Sequence, residues 1–264
     1  MTKTYRLRAS GLSDLLDCGL RWYARNVLDM RMPSSAAAHI GTAVHAGGAA
    51  FDRAVMDGRH ISTSDAVDVA IASMREEPDE GVDWDMAKNE AESITVSVTA
   101  KYCSEIAPKQ SFTHIEHTFE DMPIQATENV IIELTGTTDR IFKEANGYGV
   151  ADIKTGKTRV NTQGVVKTQG DKAQLGIYTV LAEKATGLEM NLPSRILGLS
   201  TTKQPRAGVA EVRGAKAALV GVDGAPGMLE LVGKLLDAEL FLANPRSQLC
   251  GEKYCVYWNK CTYR

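Results

Sequence analysis

The 264-residue sequence lacks the features of a secreted or membrane-embedded chain. No stretch approaches 18 consecutive apolar residues, so no helical membrane span is expected. The opening MTKTYRLRASGLSD has no apolar run long enough for a signal peptide, and a soluble, cytoplasmic protein is the expectation. Neither sign of charge dominates: 30 basic residues stand against 33 acidic, for a net −3. Bulk electrostatics therefore do not advertise a nucleic-acid binder, and local distribution matters more. Internal repeats and low-complexity tracts are also missing, and the composition excludes collagen, coiled coil and wholesale disorder. What remains is a chain 44% hydrophobic, enough to bury one large core or two small ones.

Local charge is uneven. Residues 76–92, EEPDEGVDWDMAKNEAE, carry eight acids and one lysine and read as a solvated loop and helix start. The windows 152–172 and 195–216 each hold five basic residues, against two and one acids, and can face a phosphate backbone. Five cysteines without a secretion signal argue against disulfides. Cys250, Cys255 and Cys261 crowd the last fifteen residues and Cys18 lies near the start. Cys103, in SVTAKYCSEI, reads as a buried apolar residue.

Periodicity predicts helices over 10–28 and 36–57, then near 63–75 and 83–106. The texture then changes to strands at 112–120, 129–143 and 148–155, the last two joined by a turn at Asn146-Gly147. A helix over 171–186, strands at 194–201 and 208–213, and a helix over 226–243 complete the reading. Helices, a meander of strands, a crossing helix and a further strand indicate an α/β core behind a helical N-terminal section.

The stretch VADIKTGKTRV, residues 150–160, fits two incompatible patterns. Ala151 to Thr158 satisfies a relaxed phosphate loop. Such a loop needs a glycine-rich turn and a following helix. Here the turn would be DIKT, which has no glycine and sets Asp152 against the phosphates, while RVNTQGVV is a poor helix start. The other pattern is D-x-K. Asp152 and Lys154 are two apart on a strand and share a face. Asp139 lies across the hairpin and can meet Asp152 at one hard cation, with the Ile153 carbonyl as a further ligand. A lysine beside such a site can polarise the attacking water. Alone, D-x-K reads equally as a surface ion pair or an edge-strand charge pair.

Order supplies the missing context. IGTAVHAGGAAFDRA, LTGTTDRIF, VADIKTGK and QLGIYTVLAE follow one another along the chain. Together they resemble the RecB-like branch of the PD-(D/E)XK nucleases, with its G-x-x-x-H helix, G-x-x-D-R strand, D-x-K strand and Q-x-x-x-Y helix. The matching positions are Gly41 and His45, Gly136 with Asp139 and Arg140, Asp152 with Lys154, and Gln174 with Tyr178.

The resemblance implies a restriction-endonuclease-like α/β fold, a mixed central sheet flanked by helices, across a single domain 1–264. Within it, 1–110 would be mainly helical, 111–243 the catalytic core, and 244–264 a cysteine-rich tail packing with Cys18. It implies Mg²⁺ or Mn²⁺ held by His45, Asp139, Asp152 and the Ile153 carbonyl, with Lys154 assisting the water. Gln174 and Tyr178, one helical turn apart, would contact DNA or support the site. Glu116 can be a further acid or an exposed strand carboxylate. His114 and His117 are expected on opposite faces of their strand, against a paired metal site. Arg21, Arg140, Lys157 and Arg159 are candidate DNA contacts, Arg21 equally a cap on the core.

The C-x4-C-x5-C spacing of Cys250, Cys255 and Cys261 fits neither a zinc knuckle nor the common ferredoxin runs. Three thiolates leave a four-coordinate site one short. Some RecB-like nucleases add one early cysteine, here matched by Cys18, and bind a [4Fe–4S] cluster; zinc is the alternative. The clip would close a loop of more than two hundred residues.

The expected activity is a DNA nuclease, an exonuclease acting on single- or double-stranded ends in recombination, repair or bacteriophage DNA processing. The setting implied is a bacterial or phage-infected cell, with a recombination or single-strand-annealing protein as a possible partner. The rival expectations are a CRISPR-adaptation-type nuclease and a non-catalytic DNA-binding subunit.

Overall fold

A computed structural model describes residues 2–264. Strand β1 (Lys3–Arg8) leads into helices α1 (Ala9–Asp17) and α2 (Gly19–Asn26). Helices α3 (Ala36–Met56), α4 (Thr63–Arg75) and α5 (Lys88–Lys101) follow. Then come three long strands, β2 (Phe112–Thr127), β3 (Val130–Glu144) and β4 (Gly147–Thr155). Helix α6 (Lys172–Thr186), strands β5 (Ser194–Leu199) and β6 (Ala207–Val212), and helices α7 (Ala215–Val220) and α8 (Met228–Asp237) complete the longer elements.

The expected mixed α/β architecture is present, a six-stranded sheet with helices on both faces. β3 pairs with three other strands. β2 pairs antiparallel along one edge of it. The other edge is shared: β1 runs parallel against Val130–Thr135, and β4 runs antiparallel against Arg140–Glu144. Gly136 to Asp139 fall between these two partners. β4 continues the sheet through parallel β5 to antiparallel β6.

Alternation along the strands divides the interior. Val150 of β4 and Ile196 of β5 face a core with Leu175, Ile177 and Leu181 of α6. Ile153, Leu197 and Leu199 face the other, with Ile40, Val44 and Val98 of α3 and α5. Because side chains alternate with period two, Asp152 and Lys154 project with Val150 toward α6, while the Ile153 side chain goes to the α3 side.

Several expectations needed correction. The single helix over 10–28 is two, interrupted at Cys18, whose extended backbone (φ −148°, ψ 97°) turns the chain. The mainly helical N-terminal section also supplies β1, a member of the central sheet that was not expected. The helix expected over 226–243 is shorter, Met228–Asp237, and α7 precedes it unforeseen. Among the described residues, no helix is long and apolar enough to cross a membrane.

The C-terminal segment returns to the N-terminal helices. Leu20 donates a backbone hydrogen bond to Leu242, and Phe241 stacks on Trp22 with ring centroids 6.2 Å apart. A Cβ added to Gly19 would lie 2.9 Å from the Leu242 nitrogen, so glycine is what permits this approach.

Candidate active site

His45 reaches the site from the middle of α3. One turn earlier, a Cβ on Gly41 would stand 3.0 Å from Thr155 Oγ1, so the helix crosses close over the end of β4. His45 Nε2 lies 2.8 Å from the Ile153 carbonyl oxygen and donates to it. That bond aims Nδ1 at two carboxylates, Asp139 Oδ2 at 3.4 Å and Glu116 Oε1 at 3.8 Å. The Ile153 backbone is held on both sides, since its N–H donates to Asp139 Oδ2 at 2.7 Å.

On the α6 face, Lys154 Nζ stands 2.8 Å from Asp152 Oδ2 and donates to Gln174 Oε1 at 2.8 Å. Gln174 Nε2 donates to the Tyr178 hydroxyl at 2.8 Å and reaches Asp152 Oδ1 at 3.5 Å. Asp139 and Asp152 are only 5% and 1% exposed. Three carboxylates thus share one desolvated region.

The proton affinities follow from that crowding. Burial works to lower the pKa of His45, but Asp139, Glu116 and Asp152 outweigh it and push it up to about 9. Desolvation, reinforced by Asp152 and Glu116 and opposed by His45, raises Asp139 to about 7. Lys154 is held above its ordinary value: burial opposes its charge, and Asp152 more than compensates. Burial acts to raise Glu116, yet His45 and Arg140 hold it low. A histidine made this basic marks a pocket short of positive charge.

Ligand atoms of His45, Glu116 and Asp139 lie within 4.8 Å of one another and can hold a metal ion. An imidazole and two carboxylates, one nine-tenths buried, suit a divalent cation with a preference for oxygen donors. This group shares His45 and Asp139 with the set read from sequence. Asp152 lies beside it, close to Lys154, and the Ile153 carbonyl accepts from His45. Glu116, offered by the sequence as a further acid, stands with them. Its backbone adopts φ +47°, a strained conformation for a non-glycine residue that often marks functional sites. The kink also overturns the expectation for the flanking histidines, since the His114 and His117 rings meet edge to face at 5.3 Å.

Two arginines expected at DNA are buried and do not reach a surface. Arg140 is 0% exposed and binds Asp52, Glu116 and the Asp139 carbonyl. Arg21 is 2% exposed and binds Asp14, Asp17 and Ser247. Arg159 is tied to Asp171 and to the Lys167 carbonyl, whereas Lys157 is exposed. Asp171, at the start of α6, was not singled out by the sequence.

The sequence matches the family model of the PD-(D/E)XK nuclease superfamily over residues 6–262, nearly the whole chain. The chain belongs to the PD-(D/E)XK nuclease superfamily. Nucleases of this superfamily use divalent metals, and the histidine–carboxylate group is the matching feature here. Among solved structures, a candidate exonuclease from Eubacterium rectale shares the fold with a TM-score of 0.54 at 14% identity. That alignment covers 93% of this chain and 87% of the other. The protein SSO0001 aligns over 99% of this chain and 88% of its own at 12% identity, with a TM-score of 0.42. Among curated proteins, none matches this sequence.

All five cysteines are free thiols. Cys103 is buried, and desolvation pushes its pKa up to about 12, as fits an inert core residue. Cys18, Cys250, Cys255 and Cys261 line a single cavity with Arg21, Tyr257 and Trp258. Among the described residues, no three of their sulfurs lie within 4.8 Å of one another.

Proposed function

We propose that the chain is a divalent-metal-dependent deoxyribonuclease of the RecB-like branch that degrades DNA from its ends. The observation that carries this reading is the convergence of His45, Glu116 and Asp139 beside the Asp152–Lys154–Gln174 chain, inside a nuclease fold. Mg²⁺ or Mn²⁺ bound there would supply an activated water and neutralise charge on the phosphate oxygens.

The remaining work falls to the chain itself. His45 offers Nδ1 only because Nε2 is committed to Ile153, so one tautomer is selected in advance. Lys154, held charged beside Asp152, is placed to donate to the anionic transition state. Gln174 fixes the ammonium through Oε1 and is itself fixed by Tyr178. DNA would approach along the groove lined by Thr155, Gly156, Thr158, Arg159, Lys167 and Gln248, which opens at the end of β4.

In this reading Cys18, Cys250, Cys255 and Cys261 hold a [4Fe–4S] cluster that fastens the tail to α1 and α2. That the four cysteines line one cavity is what supports a shared group there, with zinc as the alternative. Its contribution would be structural.

The test is digestion of end-labelled linear DNA, single- and double-stranded, beside a closed circle, with Mg²⁺ or Mn²⁺. Linear DNA should be degraded and the circle spared, and Asp139→Ala and Lys154→Ala should abolish cutting. Equal attack on the circle would make the enzyme an endonuclease. Metal-independent cutting, or equal cutting by both variants, would remove the assignment.

A further inference from the structure

One buried anion near the site has no part in the chemistry above. Asp52 lies on α3 seven residues beyond His45, two turns along the same face, and is 4% exposed. Its Oδ2 accepts from Arg140 Nε and from the Tyr102 hydroxyl, each at 2.6 Å. Arg140, wholly buried, also donates through Nη1 to Glu116 Oε1 at 3.0 Å and to the Asp139 carbonyl at 2.7 Å. Its Nη2 has no partner.

The guanidinium thus bridges two carboxylates, Asp52 in the interior and Glu116 at the metal group. A buried cation needs a counter-charge. Without Asp52, that charge would come from Glu116 alone, through the same oxygen that faces His45. A carboxylate neutralised by its only guanidinium partner is a poor ligand for a hard cation.

We propose that Asp52 is a positioning residue for the metal site. It neutralises Arg140, so that Arg140 can hold Glu116 in place while Glu116 keeps its charge for the cation. Tyr102 fixes Asp52 on the Nε side of the guanidinium and completes the arrangement. The inference rests on the metal-site reading above.

The test is Mn²⁺ titration calorimetry on the full chain, with thermal unfolding measured in metal-free buffer. Asp52→Asn should weaken Mn²⁺ binding about tenfold, the scale expected for groups that orient metal ligands, and Glu116→Gln, which removes a ligand, at least as much. The double variant should bind no more weakly than Glu116→Gln alone, because Asp52 acts through Glu116. A purely structural Asp52 would lower the melting temperature and leave Mn²⁺ affinity untouched, or weaken it equally in the Glu116→Gln background. Either result overturns the proposal.

Should Asp52→Asn fail to fold, Tyr102→Phe serves the same comparison with every charge retained. It should weaken Mn²⁺ binding about two- to threefold, but not in the Glu116→Gln background. Wild-type affinity, or a loss that persists there, overturns the proposal. A wild type that binds no Mn²⁺ removes the metal-site reading and this inference with it. Wild-type binding that Asp52→Asn leaves unchanged removes the inference alone.

Discussion

The histidine–carboxylate site and the cysteine cavity both gather residues from distant parts of the chain, yet they are built differently. The first is organised by the protein's own polar contacts. Asp139 takes the Ile153 amide, His45 the Ile153 carbonyl, Glu116 the Arg140 guanidinium, and Lys154 both Asp152 and Gln174. The second has thiols around a cavity in a tail whose regular structure is one short turn, Trp258–Lys260. Oxygen and nitrogen groups hydrogen-bond strongly and can be pre-set by backbone and side chains. Thiols bond weakly, so their arrangement is not fixed by such contacts. In the proposed function, chemistry belongs to the pre-set site and fastening to the dependent one.

The largest effects should separate the two regions cleanly. Asp139→Asn or Lys154→Ala should reduce DNA cleavage in Mg²⁺ by about a hundredfold or more, with iron content and visible absorbance unchanged. Cys255→Ser should do the reverse. It should lose the iron and lower the melting temperature by more than about 5 °C, while Mn²⁺ binding at His45, Glu116 and Asp139 persists. Cys255→Ser protein with full iron and an unshifted melting temperature would break the comparison on the cysteine side.

A smaller effect concerns Arg21, which links the cavity to α1. Arg21→Met should cost about 2 kcal/mol of stability, less than a fully buried pair because Asp14 and Asp17 are about a third exposed. DNA affinity should hold. Loss of DNA binding without loss of stability would return Arg21 to the nucleic-acid surface.

The pH dependence should distinguish the regions again. His45 and Asp139 both hold protons more tightly in the folded chain than in the unfolded one. Their stabilising contribution is therefore present at low pH and lost as pH rises, from about 4 to 7 for Asp139 and from 6.5 to about 9 for His45. Metal-free melting temperature should fall across that range, and Mn²⁺ affinity should rise as the competing protons leave. A melting temperature in EDTA that climbs between pH 6.5 and 9 would contradict the charge balance. The smallest effect belongs to exposed Lys157: Lys157→Ala should weaken DNA binding about two- to fivefold and reduce its salt dependence by about one ion.

Much of the fold was legible because the signals were local. The strand over 148–155, the turn before it and the helix over 36–57 emerge nearly at their observed bounds, Gly147–Thr155 and Ala36–Met56. β1 escaped notice because KTYRLR gains its strand character by pairing with β3. The helical period continued through Cys18 and hid the break, beside which the tail packs on Gly19 and Leu20. Asp52 and Tyr102 carry no motif of their own, and nothing in the linear order links either to Arg140.

By itself, the sequence determined the order of the pieces: a histidine on a helix, an aspartate and then D-x-K on neighbouring strands, and a glutamine one turn before a tyrosine. Period and alternation suffice for this, since they say which residues share a face of one element. Only the tertiary structure decided which atoms meet. It brought Glu116 to His45 through a strained backbone, turned Arg140 and Arg21 inward, and set four sulfurs around one cavity. Those outcomes depend on how elements far apart in sequence pack and on where desolvation makes a charge require a partner, and neither is written in any single stretch.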